Sequence, residues 1–331
     1  MLVALLGLGD IGLGAHLPAL ERHPAIEIAL LADVSPERRR AAAEYGSGPG
    51  RRGVPWYEVG SGLDDVLAAG VDGVVFATPP WVTPDLVVRA ARAGLYVLAE
   101  KPVATSVEAA AVYAQLSAAE RARVQVGLTY RHDPAIQTLA GWIADGVLGS
   151  PLLVRAHIYD EQRRPDDAEH TKRMLATLER GMPVIHEGAH VFDWLSYLLQ
   201  GQVERIEGAW SLRTAADLPA PNLVGARLVY PGGHVALVEF GWMTDSLPRC
   251  EVTVLGDRGH AVLDGVDFTL MLNDAEAVSF EGDRTARCFD RQVERFVALH
   301  AGGRAEPSLA DGIAALRTAE EIATRASGES R

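Results

Sequence analysis

The sequence predicts an α/β fold in two parts: a doubly wound parallel sheet first, then an α+β domain with a large, mostly antiparallel open sheet. Three observations carry this. Up to about residue 124, short apolar runs alternate with helical stretches, the grammar of strands covered on both faces. Beyond about residue 127, strand signals follow one another with hairpin turns between them. The 331 residues suit two domains at roughly 150 residues each, with the boundary expected between 1–124 and 125–331.

The apolar runs of the first part are VALLG at 3–7, IEIALLAD at 26–33, GVVFA at 73–77, YVLAE at 96–100 and VQVGL at 124–128. Amphipathic segments beginning at Pro36, Pro84 and Thr105 fill the intervals, and residues 46–53 are glycine-rich enough to read as a surface loop. In the second part a helix is expected over 134–145, a strand over 152–158, an exposed loop over 160–172 and a helix over 188–199. Strands are then expected over 203–210, 225–230, 234–242 and 250–264, with turns at Pro231-Gly232-Gly233 and Gly256-Asp257-Arg258-Gly259. Closing helices are expected over 287–300 and 309–326. In GARLVY and HVALVEFGW apolar residues occupy both alternating sets. One face of this sheet therefore packs on helices and the other needs cover, from a second subunit in a homodimer or homotetramer or from the chain's own loops.

Composition narrows the function. Hydrophobic residues make up 48% and charged residues 23%, ordinary for a globular protein. A net charge of -13 has the wrong sign for phosphate backbones or anionic lipid, so neither nucleic acid nor membrane is an expected partner. The run Leu2–Leu6 is too short to span a bilayer and lacks a basic flank, so it reads as a buried strand and not a signal peptide. Cys250 and Cys288 have no metal-ligand spacing and form no disulfide framework, which fits a reduced, cytoplasmic protein. Of 31 basic residues only Lys101 and Lys172 are lysines; lysine here is a less casual choice than arginine.

GLGDIG at 7–12 follows the first strand and opens a helical segment, the context that makes a glycine pattern a dinucleotide fingerprint. Gly7 permits the tight turn, Gly9 the approach of pyrophosphate and Gly12 close packing of helix on strand. Asp10 and Ile11 lie where the helix N-terminus meets the phosphates. Asp33 ends the second run, where a carboxylate accepts hydrogen bonds from ribose hydroxyls and repels a 2′-phosphate, so NAD is expected ahead of NADP. Arg38, Arg39 and Arg40 keep NADP open, unless they are simply a solvated helix face.

GLGDIGLGAHLPAL at 7–20, ATPP at 77–80, GLYVLAEKPVATS at 94–106, residues 130–158 and residues 181–193 resemble the glucose-fructose oxidoreductase and inositol dehydrogenase family (Gfo/Idh/MocA). The match touches both halves and most of the chain. It implies a Rossmann domain for NAD(P), a second α/β domain whose open sheet mediates oligomerisation, and an active site in the cleft between them. Glu100-Lys101-Pro102 matches the family's Glu-Lys-Pro motif, so Lys101 inherits contact with substrate and nicotinamide ribose. A surface ammonium is its plain alternative. A cis peptide bond before Pro102 is expected. Thr78 and Pro79 would lie along the cofactor, with Glu100 beside them. The family often has a histidine shortly after; here Trp81-Val82-Thr83 stands.

The family's second motif is Asp-x-Gly-x-His-x-x-Asp. Gly188, His190 and Asp193 match it, but His186 replaces the leading aspartate. His190 inherits the catalytic histidine. His186, one helical turn away, either reaches the same substrate or only packs or caps the helix. Glu187 points about 100 degrees away. The same residues spell HExxH, the zinc-hydrolase pattern, but Gly188 inside the helix and the nucleotide motifs upstream argue against metal. Arg131, after the strand at 124–128, is a candidate substrate contact or an exposed arginine. The loop with Asp160, Glu161, Arg163 and Arg164 either covers the cleft or is merely solvated. His132, His157 and His170 read as ordinary core or surface histidines.

Together these features imply an oxidoreductase that moves hydride between NAD and a carbinol or ketone of a sugar, inositol or related cyclitol. The competing class is a nucleotide-binding sensor that lost catalysis with the missing aspartate.

Overall fold

The computed structural model describes residues 1–47, 58–60, 62–279 and 282–328. They fall into two compact units, Met1–His132 with Asp283–Ile313, and Asp133–Gly282 with Ala314–Arg331. The chain thus passes between units three times, where a single passage near residue 124 was expected.

The first unit contains β1 (Leu2–Leu6), α1 (Leu17–Arg22), β2 (Glu27–Ala32), α2 (Pro36–Ser47), β3 (Glu58–Gly60), α3 (Leu63–Ala68), β4 (Gly73–Phe76), α4 (Thr83–Arg92), β5 (Tyr96–Glu100), α5 (Val107–Ala110), α6 (Ala118–Arg121) and β6 (Val124–Gly127). The strands form one sheet in the order β3-β2-β1-β4-β5-β6, every pair parallel. This is the doubly wound order whose switch point lies between β1 and β4. All four residues of β4 and of β6 are buried, as strands covered on both faces must be. Three predicted helix starts fall on or beside a proline or a capping serine: Pro36, Pro84 at the second position of α4, and Ser106, next to the expected Thr105; α6, capped by Ser117, was not predicted. Strand β3 was not predicted. Of the expected loop, Gly46 and Ser47 belong to α2, and its remainder lies outside the described residues.

The second unit holds α7 (Pro134–Ala144), β7 (Leu153–Glu161), α8 (Ala168–Leu178), α9 (Pro183–Leu198), β8 (Arg205–Leu212), β9 (Leu223–Val229), β10 (Val235–Trp242), β11 (Glu251–Leu255), β12 (His260–Asp264), β13 (Leu270–Leu272) and β14 (Ala275–Val278). Its sheet runs β14-β13-β12-β11-β7-β10-β9-β8, antiparallel except for the β7/β10 pair. Along β7, β10 and β11 one alternating set is buried, including Val154, Ala156, Ala236, Val238, Phe240 and Val254. Phe240 meets Phe192 of α9 edge to face at 5.8 Å. The other set, with Val235 and Leu237, is half-buried.

Two expectations need correction here. Residues 160–172 are not one exposed loop: β7 continues through Glu161, and α8 begins at Ala168, capped by the Asp167 carboxylate on the His170 N–H at 2.9 Å. Helix α9 starts five residues earlier than expected, with Pro183 in its first turn.

The last two helices are α10 (Arg284–His300) and α11 (Leu309–Gly328). Phe289, Val293, Phe296 and Leu299 of α10 complete the core formed by Val3, Leu5, Leu17, Leu20, Ile28 and Leu31. At the end of the first unit's opening segment His132 is buried. Burial, helped by the charges of Arg295, Arg131 and Arg291, pushes its imidazole down to about 4. The unfolded chain therefore takes up a proton below about pH 6.5 that the native protein refuses until about pH 4, so stability falls as pH drops through that window. Replacing His132 by glutamine should flatten this part of the profile of melting temperature against pH.

Candidate active site

The turn after β1 is built from missing side chains. Gly7 has φ +100°, and a Cβ there would strike the Ala77 carbonyl; a Cβ on Gly12 would strike the carbonyl of Gly7. Backbone thus packs on backbone between β1, the end of β4 and the helical segment, which starts with the π-turn Gly12–His16 and runs into α1. Gly9 differs: the nearest atoms to its would-be Cβ are those of the Arg38 guanidinium at 3.9 Å, which leaves the surface above it open to a phosphate. Asp10 and Ile11 are exposed at the helix start, where N–H groups have no acceptor within the helix. The cradle fits a dinucleotide pyrophosphate.

Asp33, at the end of β2, is almost fully buried. Its Oδ2 accepts from the Leu8 N–H at 2.8 Å and its Oδ1 from the Ser35 N–H at 2.7 Å, which fixes the carboxylate beside the glycine turn. Each oxygen keeps a second lone-pair site for a ribose hydroxyl. The arginines that follow are not a plain solvated face. Arg38 Nη1 lies 3.6 Å from Asp33 Oδ2, and Arg39 Nη1 donates to the Asp33 carbonyl at 2.7 Å. Replacing Asp33 by alanine removes the acceptor expected to meet the ribose and leaves Arg38 without its carboxylate. NAD affinity should fall about tenfold, the worth of one or two hydrogen bonds, while NADP affinity rises; calorimetry with both coenzymes checks this.

At the end of β4, Thr78 and Pro79 are tied to the start of α4. The Thr78 and Thr83 hydroxyls are 2.8 Å apart, and Thr83 Oγ1 donates to the Pro79 carbonyl at 3.0 Å. One strand further, Glu100 closes β5. Its Oε2 accepts from the backbone N–H of Lys101 at 3.1 Å, and its Oε1 is 2.8 Å from Nε2 of His16. His16 is fully buried and packs edge to face on Phe289 at 5.0 Å. Glu100 thus serves as a brace for the Lys101 backbone, and His16, which sequence reasoning missed, holds the brace. The Lys101–Pro102 peptide is cis, as expected. The first unit therefore gathers Gly7, Gly9, Gly12, Asp33, Thr78, Pro79, Glu100 and Lys101 at the carboxyl ends of adjacent parallel strands, where such sheets bind ligands.

Arg131 sits in the 3-10 turn Thr129–His132, and Arg131 Nη2 is 3.2 Å from Asp311 Oδ1. Burial works against the Asp311 charge, yet Arg131 and hydrogen bonds from Ser308 hold its carboxyl below the usual range. The fold has given this guanidinium a structural partner and largely covered it, so it is not an exposed surface arginine.

In the second unit α9 carries His186, His190 and Asp193 at helical spacing on one face. His186 stacks on Trp242, ring centroids 5.4 Å apart and planes 23° apart. Gly188 is needed for packing, since a Cβ there would come within 2.7 Å of the Phe192 ring and 3.2 Å of Ala319. Among the described residues no three His, Cys, Asp or Glu side chains group as metal ligands, so the HExxH pattern finds no third partner there. Among them, too, no helix is long and apolar enough to cross a membrane. Asp160, read as part of a loop, instead lies within β7 and accepts a hydrogen bond from Trp242.

Residues 1–128 match the model of an oxidoreductase family with an NAD-binding Rossmann fold, and residues 136–262 match the C-terminal domain of the Gfo/Idh/MocA group. The chain is 29% identical over 323 residues to the rhizopine catabolism protein MocA of Rhizobium meliloti, covering 96% of this chain and 92% of the relative. It is 29% identical over 271 residues to inositol 2-dehydrogenase 1 of Saccharopolyspora erythraea, covering 78% and 75%. Its fold is similar to that of an Agrobacterium radiobacter oxidoreductase solved with NAD+, L-tartaric acid and magnesium, at a TM-score of 0.80 and 18% identity over 99% and 97% of the two chains.

Proposed function

The chain belongs to the Gfo/Idh/MocA family of NAD-dependent oxidoreductases, dehydrogenases acting on CH–OH groups, and from this premise we propose that it oxidises a ring carbinol of an inositol, related cyclitol or sugar, or reduces the matching ketone. This takes the place of the sensor alternative. The observation that carries the reading is the arrangement in the first unit: a glycine cradle with Asp33 beside it, and Lys101 braced two strands away by Glu100 and His16. Relatives named inositol 2-dehydrogenase support the polyol class.

NAD, when bound, supplies the hydride acceptor. The chain's residues do the rest. Gly7, Gly9 and Gly12 with the helix start bind the pyrophosphate, Asp33 the ribose, and Thr78 and Pro79 flank the coenzyme. Lys101 binds the substrate oxygen and stabilises negative charge as it develops there. His190 takes the hydroxyl proton, an imidazole being suited to that transfer near neutral pH. His186 shares its helix face and the same substrate. The half-buried face of the second sheet is where a second copy docks, as homodimer or homotetramer, which sedimentation reads directly.

The test is a panel of inositols, cyclitols and aldoses with NAD, read by coenzyme absorbance. Turnover of at least one polyol is expected. Binding of NAD with no turnover across the panel would remove the substrate class.

A further inference from the structure

The carboxylate missing from α9 at His186 has a counterpart on a neighbouring strand. β7 and β10 pair in step through Tyr159 and Gly241, but the next pair is Glu161 with Trp242, so Asp160 is the extra residue of a bulge. Bulges of this kind re-aim a side chain and recur beside active sites. Asp160 Oδ1 accepts from Trp242 Nε1 at 2.7 Å. The face of that same indole is stacked on His186, and Trp242 is itself buried. One rigid ring therefore holds the carboxylate at its edge and the imidazole on its face.

The surroundings suit a group that gains and loses a proton. Asp160 is open to water on one side and crowded by protein on the others. Burial first, then the charge of Glu187 on α9, and to a lesser degree Glu161, push its carboxyl up to about 6 against the pull of the Trp242 N–H. Glu161 is itself engaged by His170 of α8, Nε2 to Oε2 at 2.8 Å. Burial raises the thiol of Cys250, just before β11, and the Asp160 charge adds to that rise.

We propose that Asp160 supplies the carboxylate of the proton path in this enzyme, standing in from β7 for the aspartate that α9 lacks at His186. The inference rests on the polyol-oxidising reading above. In the oxidising direction the carbinol C–H bond gives its electron pair and hydrogen to the nicotinamide, and the O–H bond breaks. The proton passes to an imidazole of α9, then through water to Asp160, the indole between them having no acceptor site, and leaves from the open side of the carboxylate. One alcohol and one oxidised coenzyme give one ketone, one reduced coenzyme and one proton. Asp160 acts through the imidazoles, so its role is to position and hold the proton.

The test compares the wild type with Asp160→Asn, which keeps an acceptor for Trp242 but cannot hold the proton. For a polyol that the wild type oxidises, kcat should fall about 100-fold, with NAD affinity by calorimetry within about twofold. The acid limb of the kcat/KM profile should lose the contribution of Asp160 and keep that of the α9 imidazoles. Adding His186→Asp to this variant should recover much of the lost rate. Melting gives a reading independent of turnover. Native Asp160 keeps its proton to a higher pH than the unfolded chain does, so ionising it costs stability as pH rises from about 4 to about 6. Asp160→Asn should therefore melt above the wild type at pH ~8, with the gap closing near pH ~4. A wild-type rate with the acid limb unchanged, or a melting difference that does not change with pH, overturns the proposal. A wild type that binds NAD and oxidises no polyol sinks the substrate reading and this inference with it, an outcome visible without any substitution.

Discussion

Replacing Lys101 by alanine should lower turnover by about 10²–10³-fold, the usual worth of one preorganised donor to a developing oxyanion, and leave NAD affinity nearly unchanged. The ammonium has one chemical task in this scheme, which is to meet charge on the substrate oxygen as the proton leaves. In the proposed scheme the coenzyme is gripped elsewhere, by the glycine turn and Asp33, so binding and catalysis separate cleanly. Arginine should not restore the rate, because a planar, forked guanidinium does not occupy the place of a compact ammonium. Steady-state kinetics with calorimetry on the same samples makes the check. Turnover within a few-fold of the wild type would return Lys101 to the surface charges.

Gly7→Ala should be among the most damaging single methyl groups in the first unit. The residue has φ +100°, and the added carbon would lie against the Ala77 carbonyl of the neighbouring strand end. Neither strain can relax without moving β1 relative to β4. The expected loss is about 3 kcal/mol of stability, within the range for an L residue forced into a glycine conformation combined with overpacking. Coenzyme binding should disappear even where the protein still folds, since relief of the clash must reshape the pyrophosphate cradle. Thermal melting and NAD titration check the two effects separately. Unaltered NAD affinity would mean that the turn is not the coenzyme's seat.

Much of this was legible in the residues themselves because the signals are local. Unbroken apolar runs announce strands buried on both faces, and a glycine turn followed 21 positions after Gly12 by Asp33 announces a nucleotide. What stayed hidden depends on partners far apart in the chain. His16 reads as an unremarked helix residue until Glu100, 84 positions later, is found beside it. Asp160 sits in a polar run that periodicity assigns to solvent; its bulge exists only in the pairing of β7 with β10. Arg38 and Arg39 look like a wet helix face until the end of β2 brings Asp33 beneath them. The helix α8 was lost for a related reason: its polar first turn continues the charge pattern before it, and only the Asp167 cap marks its start.

The return of residues 283–313 to the first unit bears on how the protein is made. Four large apolar side chains of α10 belong to the core laid down by β1, β2 and α1, so a ribosome that has released the whole glycine cradle has still to deliver the helix that seals it. The entire second sheet emerges in the interval. Coenzyme therefore becomes available as a stabilising ligand only near the end of translation, and an amino-terminal fragment ending at His132 leaves the tunnel with a bare hydrophobic flank for chaperones to cover.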